Sequence, residues 1–138
     1  MQMSWHRRML AAATVAAALS ISALWVAPAQ PSARNGTYFY MVMYRGGRAS
    51  GPVESEMTLT CFPEGGNHPD PGGACMALRE VGGDFGRLKI AHADCTMEYS
   101  PVTIKVLGKW RDQRIKFIRI YPNRCLVAAM SDWVLNFP

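Results

Sequence analysis

The sequence predicts an α+β domain built on an antiparallel sheet, on three observations. Apolar and polar residues alternate with period two in several separate segments, the mark of half-buried strands. One short stretch opens with a helix cap and continues with helical spacing. Four cysteines, an even number, follow an apolar leader, as in small exported domains held by disulfides. A chain of 138 residues accommodates one domain. It is too short for an eight-stranded barrel enzyme or a two-domain dinucleotide binder. With 49% hydrophobic and 18% charged residues, wholesale disorder is excluded as well.

The leader comes first. Residues 1–8 hold His6, Arg7 and Arg8 and no acid, and no charge occurs from Met9 to Ala27. Ala27-Pro28-Ala29 then supplies a small-x-small pattern. A basic start, an apolar middle and an Ala-x-Ala site make residues 1–29 a secretory signal peptide, leaving 30–138 as the mature domain. The competing reading, an uncleaved membrane anchor, is disfavoured by the weakly apolar, Ala-rich centre and the good cleavage site. Cleavage after Ala29 leaves 109 residues and lowers the formal charge from +5 to +3, because Arg7 and Arg8 depart and no acid does. So small a surplus does not argue for nucleic acid. Lys105, Lys109, Arg111, Arg114, Lys116, Arg119 and Arg124 read as the solvated face of strands, although they could steer an acidic partner.

Within the mature part, residues 37–44 are aromatic and β-prone and end at Arg45-Gly46-Gly47, a strand followed by a turn. Residues 53–62 place Val53, Ser55, Met57, Leu59 and Cys61 on one face and Glu54, Glu56, Thr58 and Thr60 on the other. A Gly/Pro/Asp-rich loop, 63–73, carries His68. Asp70-Pro71 opens a short helix, with Asp as cap and Pro at the first position, and Gly82-Gly83 closes it. Ala74, Ala77, Leu78 and Val81 form its apolar stripe. Asp84 to Leu88 reads as one further turn. Val102, Ile104 and Val106 alternate with polar residues, Leu107-Gly108 is a candidate tight turn, and Trp110 resumes a strand. Residues 114–121 form the next strand and stop at Pro122-Asn123, and 133–137 reads as a closing strand. The tally is about five strands and one or two short helices.

No catalytic constellation appears. The serines lie in no Gly-x-Ser-x-Gly elbow, there is no His-Glu-x-x-His, and Glu54 and Glu56 look like an exposed strand face. No Cys-x-x-Cys occurs, and His68 and His92 stand at no finger-like interval from the cysteines, so both read as loop residues and no metal or cofactor is implied. Cys61, Cys75, Cys95 and Cys125 form two disulfides in one of three possible pairings. If the pairing is sequential, chain-entropy arithmetic assigns about 3 and about 3.5–4 kcal/mol to the two bridges.

Several segments, read together, are more specific. Thr58-Leu59-Thr60-Cys61 to Pro69, Gly73-Ala74-Cys75, Val81-Gly82-Gly83-Asp84, Cys95-Thr96-Met97-Glu98-Tyr99-Ser100-Pro101-Val102, Gly108-Lys109-Trp110, Arg114, Asn123-Arg124-Cys125 and 134–137 run in one order with characteristic spacing. In this the chain resembles the Streptomyces subtilisin inhibitor family from Met57 to its C-terminus, while residues 36–45 match only in character. The resemblance implies a five-stranded antiparallel sheet with two short helices on one face and the pairings Cys61–Cys75 and Cys95–Cys125. It implies a secreted, homodimeric, standard-mechanism inhibitor of subtilisin-like serine proteases, with no enzymatic activity and no cofactor. The alternative is a secreted binding module that kept the scaffold without inhibiting.

By position, the resemblance puts the reactive bond at Met97–Glu98, with Met97 entering the protease's primary pocket. Asp94, Cys95, Thr96, Tyr99 and Ser100 complete the contact loop, and Pro101 and Asn123 support it. Met97 is unbranched and adaptable, so it suits a broad apolar pocket of subtilisin-like and, secondarily, chymotrypsin-like enzymes. The polar neighbours Asp94, Thr96, Glu98 and Ser100 mark an exposed loop, not a core methionine. The chain departs from the family at Met130-Ser131, where a His-Gly pair is usual, and at Ile118 and Trp133, which bear on the dimer more than on the loop.

Overall fold

The computed structural model describes residues 36–138; the leader and the cleavage site read from the sequence lie outside them. Five strands form one antiparallel sheet: β1 (Thr37–Arg45), β2 (Val53–Cys61), β3 (Gly65–Gly66), β4 (Val102–Trp110) and β5 (Gln113–Tyr121), in the order β3-β2-β1-β4-β5. Two helices, α1 (Pro71–Glu80) and α2 (Arg124–Ala129), cover one face, and a single 3-10 turn lies at Phe85–Arg87. The fold class and both predicted disulfides are present, with Cα–Cα distances of 5.7 Å for Cys61–Cys75 and 5.6 Å for Cys95–Cys125.

Alternation decides which face is which. Phe39, Met41 and Met43 of β1, Met57, Leu59 and Cys61 of β2, and Val102, Ile104 and Val106 of β4 are buried beneath Ala74, Cys75 and Leu78 of α1 and Val127 of α2. Asp70 caps α1 by accepting a hydrogen bond from the Gly73 amide at 3.0 Å, as the Asp-Pro signal predicts. The cystine Cys61–Cys75 is buried in this core and pins α1 to the end of β2.

Three expectations need correction. Leu107-Gly108 is not a turn: β4 runs through it, pairing Leu107 with Lys116 and Gly108 with Ile115, and the reversal occurs at Arg111-Asp112. The glycine serves a close approach instead. A Cβ at Gly108 would stand 2.1 Å from the Tyr38 carbonyl oxygen and 2.8 Å from the Phe39 ring. Residues 133–137 form no strand, because their amides bond two to five residues back, four to carbonyls and that of Leu135 to the Ser131 hydroxyl, and so leave nothing for a ladder. Their apolar side chains, Val134, Leu135 and Phe137, plug the core from a run of turns. The fifth strand is the two-residue β3, inside what the sequence presents as plain loop, where Gly66 pairs with Leu59. His68 is the loop residue the sequence suggests, but a buried one: it is 5% exposed, its Nε2 lies 2.9 Å from the Val134 carbonyl oxygen, and its Nδ1 accepts from the Asp70 amide at 3.0 Å.

Gly82-Gly83 does end α1, and for a reason beyond helix termination. Gly83 has φ of +83°, and a Cβ there would meet the Trp110 ring at 2.3 Å. The indole occupies that space, stacked at 6.3 Å on Phe39 with Phe62 edge-on at 5.9 Å. The Val-Gly-Gly-Asp turn and Trp110, far apart in sequence, form one packing unit.

Candidate functional site: a braced, exposed loop

Residues 88–101 have no regular structure, and a loop of that length in a small domain points to function. The loop is nevertheless held at many points. Leu88 is buried, and the Ala91 amide donates to the Ala129 carbonyl at the end of α2 at 2.8 Å. Lys89 pairs with Glu80 of α1, whose carboxylate raises the lysine's pKa by hydrogen bond and charge. The second cystine ties Cys95 to Cys125 on the first turn of α2. On the far side, the Ser100 amide donates to the Pro122 carbonyl at 2.9 Å, and the Pro101 carbonyl accepts from the Gly46 amide at 2.8 Å.

Asn123 closes the frame. Its Nδ2 donates to the carbonyl of Thr96 at 3.0 Å and to the carbonyl of Glu98 at 2.9 Å, the residues on either side of Met97. Its Oδ1 accepts from the Leu126 amide at 2.9 Å and so caps α2. One side chain, 7% exposed, thus ends β5's exit turn, starts a helix and grips the loop on both sides of its tip. An asparagine suits all three duties because its amide carries two donors and an acceptor on one rigid plane. Next to it, Arg124 reaches away, to Glu54 at 3.4 Å and to the carbonyls of Phe137 and Pro138.

Between the two gripped carbonyls, Met97 is 91% exposed, and Tyr99, just past the second, is 77% exposed. The main-chain groups of Met97 make no hydrogen bond among the described residues, so an incoming chain finds them free. Asp94, Thr96, Glu98 and Ser100 are exposed, Cys95 and Pro101 half-buried. All the loop residues singled out in the sequence therefore fall in one braced segment, with Asn123 beneath it. Sequence reasoning missed the carbonyls of Pro122 and Ala129 and the Gly46 amide. These are main-chain contacts from distant elements, and no residue type announces them.

Chemically the segment is a presenter of backbone. An exposed stretch held at several points, with an unbranched apolar side chain at its tip, has much of its ordering cost met before any partner binds.

Comparison with known proteins agrees. The profile of the family described as subtilisin inhibitor-like matches residues 36–123. Kexstatin-1 of Streptomyces platensis is 38% identical over 93% of this chain and 94% of its own. Subtilisin inhibitor-like protein 1 of Streptomyces cacaoi is 44% identical over 67% of this chain and 88% of its own. Among solved structures, sermetstatin of Streptomyces caespitosus, crystallised in complex with Bacillus licheniformis subtilisin, aligns with a TM-score of 0.58 at 25% identity, covering 70% of this chain and 93% of the other. With a family match that runs from β1 to the asparagine under the loop and a relative 38% identical over nearly its whole length, the chain belongs to the subtilisin inhibitor-like family.

Proposed function

We propose that the protein is a secreted, substrate-like inhibitor of subtilisin-like serine proteases, and that Met97–Glu98 is the bond it offers. The observation that carries the reading is the Asn123 clamp on the carbonyls of Thr96 and Glu98, beside the Cys95 tether, with Met97 exposed between them. The loop docks as a substrate would, Met97 filling a broad apolar pocket. The protease serine attacks the Met97 carbonyl, with the proton passing to its histidine. A free substrate would then lose its leaving segment by diffusion. Here the Glu98 side stays gripped by Asn123 and by the Ser100–Pro122 bond, so the new amine remains within reach of the acyl carbon and religation competes with hydrolysis. Inhibition comes from slow dissociation of a tight complex, not from covalent inactivation. Members of the family are protease inhibitors rather than enzymes.

Export by a signal peptide spanning residues 1–29 and a homodimeric state complete the reading. Two disulfides favour an oxidising compartment, and no helix among the described residues is long and apolar enough to cross a membrane. For the dimer, the support is the outer face of the sheet, where Tyr38, Tyr40, Leu107, Ile118 and Ile120 are all more than one-third exposed. The test of the central reading is titration of subtilisin with the secreted protein, followed by N-terminal sequencing after prolonged incubation. Stoichiometric inhibition and a new terminus at Glu98 are expected; no inhibition at micromolar concentration overturns the reading, and a terminus elsewhere overturns the bond assignment.

A further inference from the structure

Two carboxylates flank Met97: Asp94 three residues before it and Glu98 directly after. Both side chains are exposed, and neither lies within salt-bridge distance of a Lys or Arg among the described residues. The cations that stand nearest in sequence or at the loop's anchor are engaged elsewhere, Lys89 with Glu80 and Arg124 with Glu54. Only His92 approaches Asp94, at 4.0 Å with both side chains open to water, and it is charged only when protonated. Meanwhile Lys105, Lys109, Arg114 and Lys116 lie on β4 and β5. A net-positive protein therefore presents a negative tip.

We propose that Asp94 and Glu98 are specificity-determining residues, selecting a protease whose cleft carries positive charge on either side of an apolar primary pocket. The inference rests on the reading of Met97–Glu98 as the reactive bond and goes beyond it by naming the electrostatic character of the target. The physical basis is complementarity across the interface. Uncompensated charge at the first point of contact accelerates encounter with an opposite potential and penalises a like one, and it does so most at low salt. Because neither carboxylate holds any part of the fold, their charge is available to the partner.

The test uses the secreted, disulfide-bonded protein and two variants of one subtilisin, with Lys or with Glu introduced at cleft positions beside the primary pocket. Association rates are measured by stopped flow between 20 and 500 mM NaCl, for the wild type and for Asp94→Asn/Glu98→Gln. The wild type is expected to associate with the Lys-bearing cleft about tenfold faster at low salt than at high salt. The double variant should lose most of that dependence and, on the Glu-bearing cleft, associate faster than the wild type. Rates that are the same for both inhibitors on both clefts overturn the proposal while leaving the inhibitor reading intact. Failure of the wild type to inhibit either protease, with no cleavage at Met97–Glu98, overturns the parent reading and the proposal with it. Both substitutions are near-isosteric at exposed positions, so the fold is unaffected.

Discussion

At the scale of single residues, Asn123 and Met97 divide the work: one holds, the other is held out. Two variants separate the duties of Asn123. Asn123→Asp keeps the oxygen that caps α2 and loses the donors to Thr96 and Glu98. The loop should then be cleaved at Met97–Glu98 markedly faster than in the wild type, followed by chromatography of protease incubations. Asn123→Ala loses the cap as well, at about 1 kcal/mol, and should lower Tm by a further 4–8 °C or so in calorimetry. Met97→Lys should move inhibition from subtilisin toward trypsin-like enzymes, read from inhibition constants against both; unchanged subtilisin inhibition would place the reactive bond elsewhere.

At the scale of elements, the two disulfides have different tasks although both close loops. Cys61–Cys75 lies inside the core, while Cys95–Cys125 joins a structureless segment to a six-residue helix. Removing the second with Cys95→Ala/Cys125→Ala should cost up to about 3.5–4 kcal/mol by the loop-entropy relation and abolish lasting inhibition. The sheet core would persist, a separation visible when denaturant midpoints are compared with inhibition. Gly108 tests the sheet itself. Alanine there drives a methyl into main chain at 2.1 Å, so β1 and β4 must part, at about 1–3 kcal/mol. The expected outcome is a lowered Tm with the Met97 loop still inhibitory at low temperature.

At the scale of the whole molecule, the helices and the C-terminal turns all lie on one side of the sheet, which leaves the other side uncovered among the described residues. The apolar residues there lie on β1, β4 and β5, interleaved with lysines, and Ile118 stands opposite Lys105, which in turn pairs with Val42. Ile118→Asp should shift sedimentation from dimer to monomer if two copies stack through this face, without loss of inhibition, because the Met97 loop is braced by α2 and Asn123 instead.

Much of this was legible in the sequence for a local reason. Strand alternation in β1, β2 and β4, the Asp-Pro cap of α1 and the even cysteine count are short-range patterns, each encoded in neighbouring residues. The position of Met97 in a polar, cysteine-anchored loop was readable for the same cause. What failed was what needed a distant partner. Gly108 looked like a turn because a glycine's reason for being can be a neighbouring strand's carbonyl, and 133–137 looked like a strand because apolar runs carry no record of where their amides bond. The burial of His68 was hidden for the same reason, its partner Val134 being 66 residues away, whereas Asn123, expected as loop support, does grip the Thr96 and Glu98 carbonyls 27 and 25 residues away. The sequence by itself determined which segments alternate, where α1 begins and which residue stands at the loop's tip. Only the tertiary structure decided how that tip is held, because the grip consists of hydrogen bonds between groups that folding alone brings within 3.0 Å.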